Sequence, residues 1–229
     1  MLTTAGFALA EDRHVNLRRQ HQPLSQSSPT GQSARWMSLL NGYGADEFQP
    51  IRVGLGAEGR ISIFDGSTGR FEVIEDEGLV ALQPGRTYRL RLSEMTDFPG
   101  VELFPSIEVL DRIHPPPGRQ WEFPVPLWLT LDEIEYALQG RLVTKVIYLE
   151  QPQTASPHDI EDPEVVTTIP YRQNLLAQAD ERGRPMLFVR LGGRLPSITG
   201  DNRHFHGDGA PWRRRPDQHP SGEAQPNQL

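Results

Sequence analysis

Asp111-Arg112-Ile113-His114, immediately before three prolines, is the densest run of chemistry-bearing side chains in the sequence. An acid, a guanidinium and an imidazole at a rigid strand end suit acid–base work or anion binding. No nucleophile or second carboxylate sits at useful spacing, so the plainer reading is a strand-end ion pair with His114 capping a turn. A second group, His158-Asp-Ile-Glu-Asp162 with Glu164, offers oxygen ligands to a hard cation. It lacks the glycine and spacing of a calcium loop and reads as a solvated acidic loop. His204, His206, Asp208 and His219 form a third group, but a polar tail cannot preorganise a transition-metal site, so adventitious affinity is all that is expected there. Trp121, Phe123, Trp128 and Tyr148 either line a carbohydrate platform or fill a core. Gly54-Leu-Gly56 and Gly192-Gly193 lack the strand–loop–helix setting of a dinucleotide fingerprint, and no Gly-x-Ser-x-Gly elbow occurs. No cofactor, catalytic residue or metal ligand is assigned. The candidate ligand surface is Asp111, Arg112, His114 and Trp121.

The elements that must position these residues read as strands. Apolar alternation or short apolar runs occupy 51–55, 60–64, 70–74, 87–92, 101–113 and 120–129. Between them lie turn signals: Gly56 to Gly59, Asp65-Gly66 to Gly69, Pro84-Gly85, Pro99-Gly100 and Pro115 to Gly118. The Asp65-to-Gly69 stretch predicts a hairpin connection. One helix is well signalled, because Thr130-Leu-Asp-Glu133 is a capping box and Gly140 supplies a left-handed stop. A strand over 141–150, a short helix over 174–180 and a last strand over 185–191 complete the pattern. Regular strands with such turns predict an all-β fold: an immunoglobulin-like antiparallel β-sandwich with one or two short inserted α-helices.

The whole-chain arithmetic agrees with a domain between polar flanks. The 229 residues are 36% hydrophobic, with Gly 21 and Pro 21, which excludes fibrous, multi-pass membrane and helical-bundle classes. The net charge is −7 and Lys145 is the only lysine, a poor match to nucleic acid. There is no cysteine, which removes thiol catalysis, thiolate metal sites and disulfides, and suits an exported protein. Residues 1–10 end in Ala8-Leu9-Ala10 before acid and read as a truncated signal peptide. No stretch is apolar for long enough to span a membrane. The expected organisation is therefore a possible signal remnant over 1–10, a linker over 11–45, the domain over 46–195 and a disordered tail over 196–229. Trp36, Met37, Leu39 and Leu40 form a short apolar cluster in the linker, as a helical turn or an anchor against the domain.

Tyr88-Arg-Leu-Arg-Leu-Ser, Val101-Glu-Leu-Phe-Pro-Ser-Ile-Glu-Val-Leu-Asp-Arg, Phe123-Pro-Val-Pro and Leu129-Thr-Leu-Asp-Glu are followed by Val143-Thr-Lys-Val-Ile-Tyr-Leu-Glu, Ala179-Asp-Glu-Arg-Gly-Arg-Pro and Arg190-Leu-Gly-Gly. Together, over about 51–194, these resemble a family of uncharacterised exported bacterial proteins found chiefly in lineages with elaborate cell envelopes. The resemblance implies export to the periplasm or envelope and brings no reaction, cofactor or catalytic residue. The expected function is a non-catalytic structural or binding role in the envelope, with a protein or polysaccharide partner, no nucleic acid, no membrane span and an open oligomeric state. The alternatives are a polysaccharide-acting or metal-binding sandwich enzyme built on Asp111, Arg112 and His114, or a subunit of a larger assembly docking through 35–40 or the tail.

Overall fold

The computed structural model describes residues 24–74, 78–150, 168–170, 172–200, 202–207 and 209–216. Among these residues ten strands run in chain order: β1 Gln49–Leu55, β2 Arg60–Asp65, β3 Arg70–Val73, β4 Leu79–Leu82, β5 Thr87–Ser93, β6 Ser106–Val109, β7 Val125–Leu129, β8 Val143–Glu150, β9 Gly183–Leu191 and β10 Trp212–Arg213. The helices are α1 Gln32–Asn41, α2 Leu131–Leu138, α3 Leu175–Arg182 and the short α4 Arg203–His206. The fold is mostly β, as the turn pattern predicts.

Two sheets form, a four-stranded one in the order β10-β4-β1-β7 and a six-stranded one in the order β3-β2-β5-β6-β9-β8. Every described pairing is antiparallel except β1–β7, which is parallel from Ile51↔Val125 to Leu55↔Leu129. One core lies between the sheets. Ile51, Val53, Val80, Leu82, Val125, Leu127 and Leu129 from the small sheet share it with Ile63, Leu90, Leu92, Ile107, Val109, Leu187 and Val189 from the large one. Period-2 alternation explains this directly, since β5 buries Tyr88, Leu90 and Leu92 and turns Arg89 and Arg91 to the opposite face.

Local signals hold where their chemistry is local. Thr130 accepts from the Glu133 amide while the Glu133 carboxylate accepts from the Thr130 amide, at 3.3 and 3.0 Å. At the other end of α2, Gly140 takes φ 78°, and the Gly140 and Arg141 amides donate to the Ala137 and Tyr136 carbonyls. Between β2 and β3, Gly69 donates to the Asp65 carbonyl and Ser67 donates to the Asp65 carboxylate.

Two expected strands are corrected, and one strand was not expected. The run over 101–113 pairs regularly only in β6, because Pro105 interrupts it and Leu103 makes just an isolated bridge to Leu92. The run over 120–129 begins as a 3-10 turn, Gln120–Glu122, and becomes strand after Pro124. β4 has no counterpart in the expectation; its Leu-Val-Ala-Leu run is buried on both faces, so it shows no alternation to read.

The flanks belong to the domain further than the linker and tail expectation allows. The outer face of the six-stranded sheet carries a second core of Leu24, Met37, Leu110, Leu176 and Phe188 beneath α1 and α3. The tail returns as β10, which pairs Trp212 with Leu82, and Phe205 of α4 is buried. A Cβ on Gly66 would fall 2.5 Å from the Gly209 carbonyl oxygen, so this crossing of hairpin and tail needs a bare backbone. The signal-remnant reading of 1–10 and the acidic group from His158 to Glu164 lie outside the described residues.

Candidate functional site

The predicted ligand surface does not converge. Asp111 accepts the backbone amide of Arg112 at 2.7 Å, lies 3.2 Å from the Tyr43 hydroxyl and sits 3.5 Å from the Arg184 guanidinium. The Tyr43 hydroxyl also donates to the Leu110 carbonyl at 2.8 Å. Burial, and then the Asp111 charge, push the Tyr43 hydroxyl far above the ordinary phenol value. Arg112 turns elsewhere, donating to Glu47 at 2.7 Å, and the Ile113 amide donates to Gln49 at 2.6 Å. These contacts tie the strand that leaves β6 to residues 43–49. His114 is exposed and Trp121 is half-buried in the 3-10 turn. Acid, guanidinium and imidazole are thus distributed among three environments, the first two acting as struts.

The aromatic residues separate by exposure. In β7, Val125, Leu127 and Leu129 enter the core, while Pro126 and Trp128 face outward on the small sheet. Trp128 is 46% exposed, and its ring lies against β1 at Gly54, where a Cβ would meet it at 2.1 Å. The Cε3–Cζ3 side of the indole therefore packs against the Gly54 backbone. Lys145 anchors the same spot, donating to the Trp128 carbonyl at 2.7 Å and pairing with Glu133 at 3.2 Å. Phe123 is also exposed, with the Arg119 guanidinium 5.8 Å from its ring. A half-exposed indole packed on backbone suits stacking against the apolar face of a sugar ring, with its N–H as a polar handle.

On the outer face of the six-stranded sheet, rings and guanidiniums gather. Phe64 stacks on His206 at 4.4 Å, Phe71 meets Phe104 and His206 at 5.7 and 5.4 Å, and Phe104 meets Phe205 at 5.4 Å. Arg89 lies 4.6 Å from the Phe205 ring and donates to the Phe205 and Phe104 carbonyls, both at 2.8 Å. Burial lowers its pKa to about 10, with Arg194 adding repulsion. Burial, then Arg89, also lowers the His206 pKa. Of the tail's predicted metal group, His206 is thus committed to stacking; His219, Asp208 and the side chain of His204 lie outside the described residues.

Sequence reasoning grouped Trp128 with three other aromatics and left Arg89 and Arg91 as the wet face of a strand. The signal for Trp128 is its outward parity in β7 opposite a glycine, and the pairing Gly54↔Trp128 is visible only once β1 and β7 align. Compared with known proteins, the chain matches no protein family, no curated protein and no solved structure.

Proposed function

We propose that this chain is a non-catalytic exported protein of the bacterial cell envelope whose sandwich binds polysaccharide through the Trp128 surface. The observation that carries the reading is the indole of Trp128, packed on the Gly54 backbone yet 46% exposed. It is supported by the use of Asp111 and Arg112 as struts, which leaves the rival enzyme without its acid and guanidinium. Export and kinship with envelope proteins belong to the same reading, motivated by Ala8-Leu9-Ala10 and the absence of cysteine. So does the immunoglobulin-like form of the sandwich, supported by two facing sheets with one shared core. Co-sedimentation with insoluble envelope polysaccharide tests the binding: the chain pellets with the polymer, and Trp128→Ala stays in the supernatant. Equal pelleting of the two would refute it.

A second reading rests on α1. Trp36, Leu39 and Leu40 lie at i, i+3 and i+4 on its outward side, with Leu39 74% exposed. That stripe suits a subunit contact. Light scattering after size exclusion checks it: a mass above 25.8 kDa per particle that drops with Leu39→Glu supports the contact, and a monomer at all concentrations opposes a self-contact.

A further inference from the structure

A single exposed leucine on a surface needs no explanation, but several gathered at one tip do. Leu142 is 64% exposed, Leu195 61%, Ile198 101% and Leu138 37%. They come from two stretches, 138–142 and 192–198, that the fold sets side by side. β8 begins where β9 ends, at the pair Val143↔Leu191, so the chain entering β8 and the chain leaving β9 emerge at the same end of the sheet. A Cβ on Gly192 would lie 3.4 Å from Leu142 Cδ1, and one on Gly193 would lie 3.1 Å from the Ala137 carbonyl oxygen near the end of α2. The second stretch is braced: the Asn202 carboxamide accepts from the Ser197 amide at 2.7 Å and donates to the Ser197 carbonyl at 2.8 Å.

Charge narrows what covers this tip. Residues 136–142 and 192–198 contain two arginines, Arg141 and Arg194, and no carboxylate, in a chain of net charge −7. Both arginines are exposed, and neither makes an ion pair among the described residues. The Arg141 guanidinium lies 5.3 Å from the ring of Tyr136, itself 47% exposed, and that of Arg194 lies 5.8 Å from the Phe205 ring. Leucines and a tyrosine interleaved with arginines match a layer that is anionic at its surface and hydrocarbon beneath. A protein partner would need a carboxylate set opposite each guanidinium, whereas a lipid headgroup layer presents anions at every lateral position.

We infer that this tip is a docking surface for an anionic phospholipid membrane, with Leu142, Leu195 and Ile198 entering the boundary between headgroups and acyl chains while Arg141 and Arg194 meet the phosphates. The contact is peripheral and reversible, because a few side chains bury little apolar area and two cations add a modest attraction. It requires no carbohydrate and stands whether or not the polysaccharide reading does.

Vesicle flotation of the full chain at low salt tests the surface, using phosphatidylcholine vesicles with and without about one-third phosphatidylglycerol. The chain floats with the anionic vesicles and stays behind with the neutral ones. Replacing both exposed leucines, Leu142→Ser with Leu195→Ser, weakens partitioning about tenfold or more, since each side chain loses its apolar burial. Arg141→Gln weakens it as well, and keeps the test readable if the double variant does not fold. Trp128→Ala floats like the parent chain, which separates this contact from polysaccharide binding, and so does Leu39→Glu, which separates it from the α1 stripe. No flotation with phosphatidylglycerol, flotation indifferent to that lipid, or equal flotation of the double leucine variant overturns the proposal and leaves the tip to a protein partner.

Discussion

A carboxylate with no exposure is tolerable only where its oxygens are fully used, and Glu108 meets that condition. Arg190 pairs with one oxygen, the Ala34 amide donates to the other at 3.0 Å, and Arg190 goes on to the Ser28 carbonyl at 2.8 Å. Ala34 lies in the first turn of α1, whose own N-cap, Gly31, has no side chain to offer, so a strand residue caps the helix from outside. Removing one partner of a buried pair strands the other, at a cost of roughly 3–5 kcal/mol. Glu108→Ala should therefore lower unfolding free energy by about 3 kcal/mol in a denaturant titration and free α1 to exchange its amides. None of this is legible in Ser106-Ile-Glu-Val109, where Glu108 reads as a wet residue of an alternating strand; its cover comes from 74 residues upstream. Gly54 makes a complementary case. Gly54→Val should displace the Trp128 ring and abolish polysaccharide pelleting while leaving the fold's circular dichroism unchanged.

Elements whose ends are fixed by their own residues were readable in advance; of those held by distant partners, only the apolar cluster at Trp36 to Leu40 was, as a helical turn or an anchor. The capping box at Thr130, the stop at Gly140 and the Asp65 turn are complete within a few residues. So is the Asn174 cap of α3, whose carboxamide oxygen accepts from Leu176 and Ala177. By contrast, α1 depends on Glu108, and β10 depends on β4 and on the Tyr88 hydroxyl, which donates to the Pro211 carbonyl at 2.8 Å. α4 depends on rings from β2 and β3. Docking of α4 should depend on pH. The folded His206 pKa lies below its ordinary 6.5, so the docked tail prefers the neutral imidazole. That preference contributes fully above pH 6.5 and is lost as pH falls through the folded value. Amide exchange at residues 203–207 should accelerate from pH 7 toward pH 5, after correction for intrinsic rates, and His206→Phe should flatten the trend. Exchange that is equally pH-dependent in the variant would assign the effect elsewhere.

At the scale of the molecule, the chain is a two-sheet core with a third, partial layer of α1, α3 and α4 laid over the large sheet. Glycine and proline punctuate the strands as the composition implied. The domain boundary is misplaced in sequence because the flanks contribute few but decisive apolar residues: Leu24, Met37, Phe205 and Trp212. No helix among the described residues is long and apolar enough to cross a membrane. The chemistry-bearing run at Asp111 was visible at once, yet its acid and guanidinium hold residues 43–49 in place; the open aromatic was visible too, but only as one of four. The proposed export predicts that the chain expressed in a bacterium fractionates with the envelope, its mature N-terminus beginning after Ala10; cytosolic chain with Met1 intact would contradict export. The most direct test of polysaccharide binding is an NMR titration of the four indole N–H signals, from Trp36, Trp121, Trp128 and Trp212, with soluble oligosaccharide released from envelope polysaccharide. The Trp128 signal should shift saturably while that of Trp212, whose indole nitrogen is buried, stays in place. A Trp128 signal that moves no more than that of Trp212 would contradict the account.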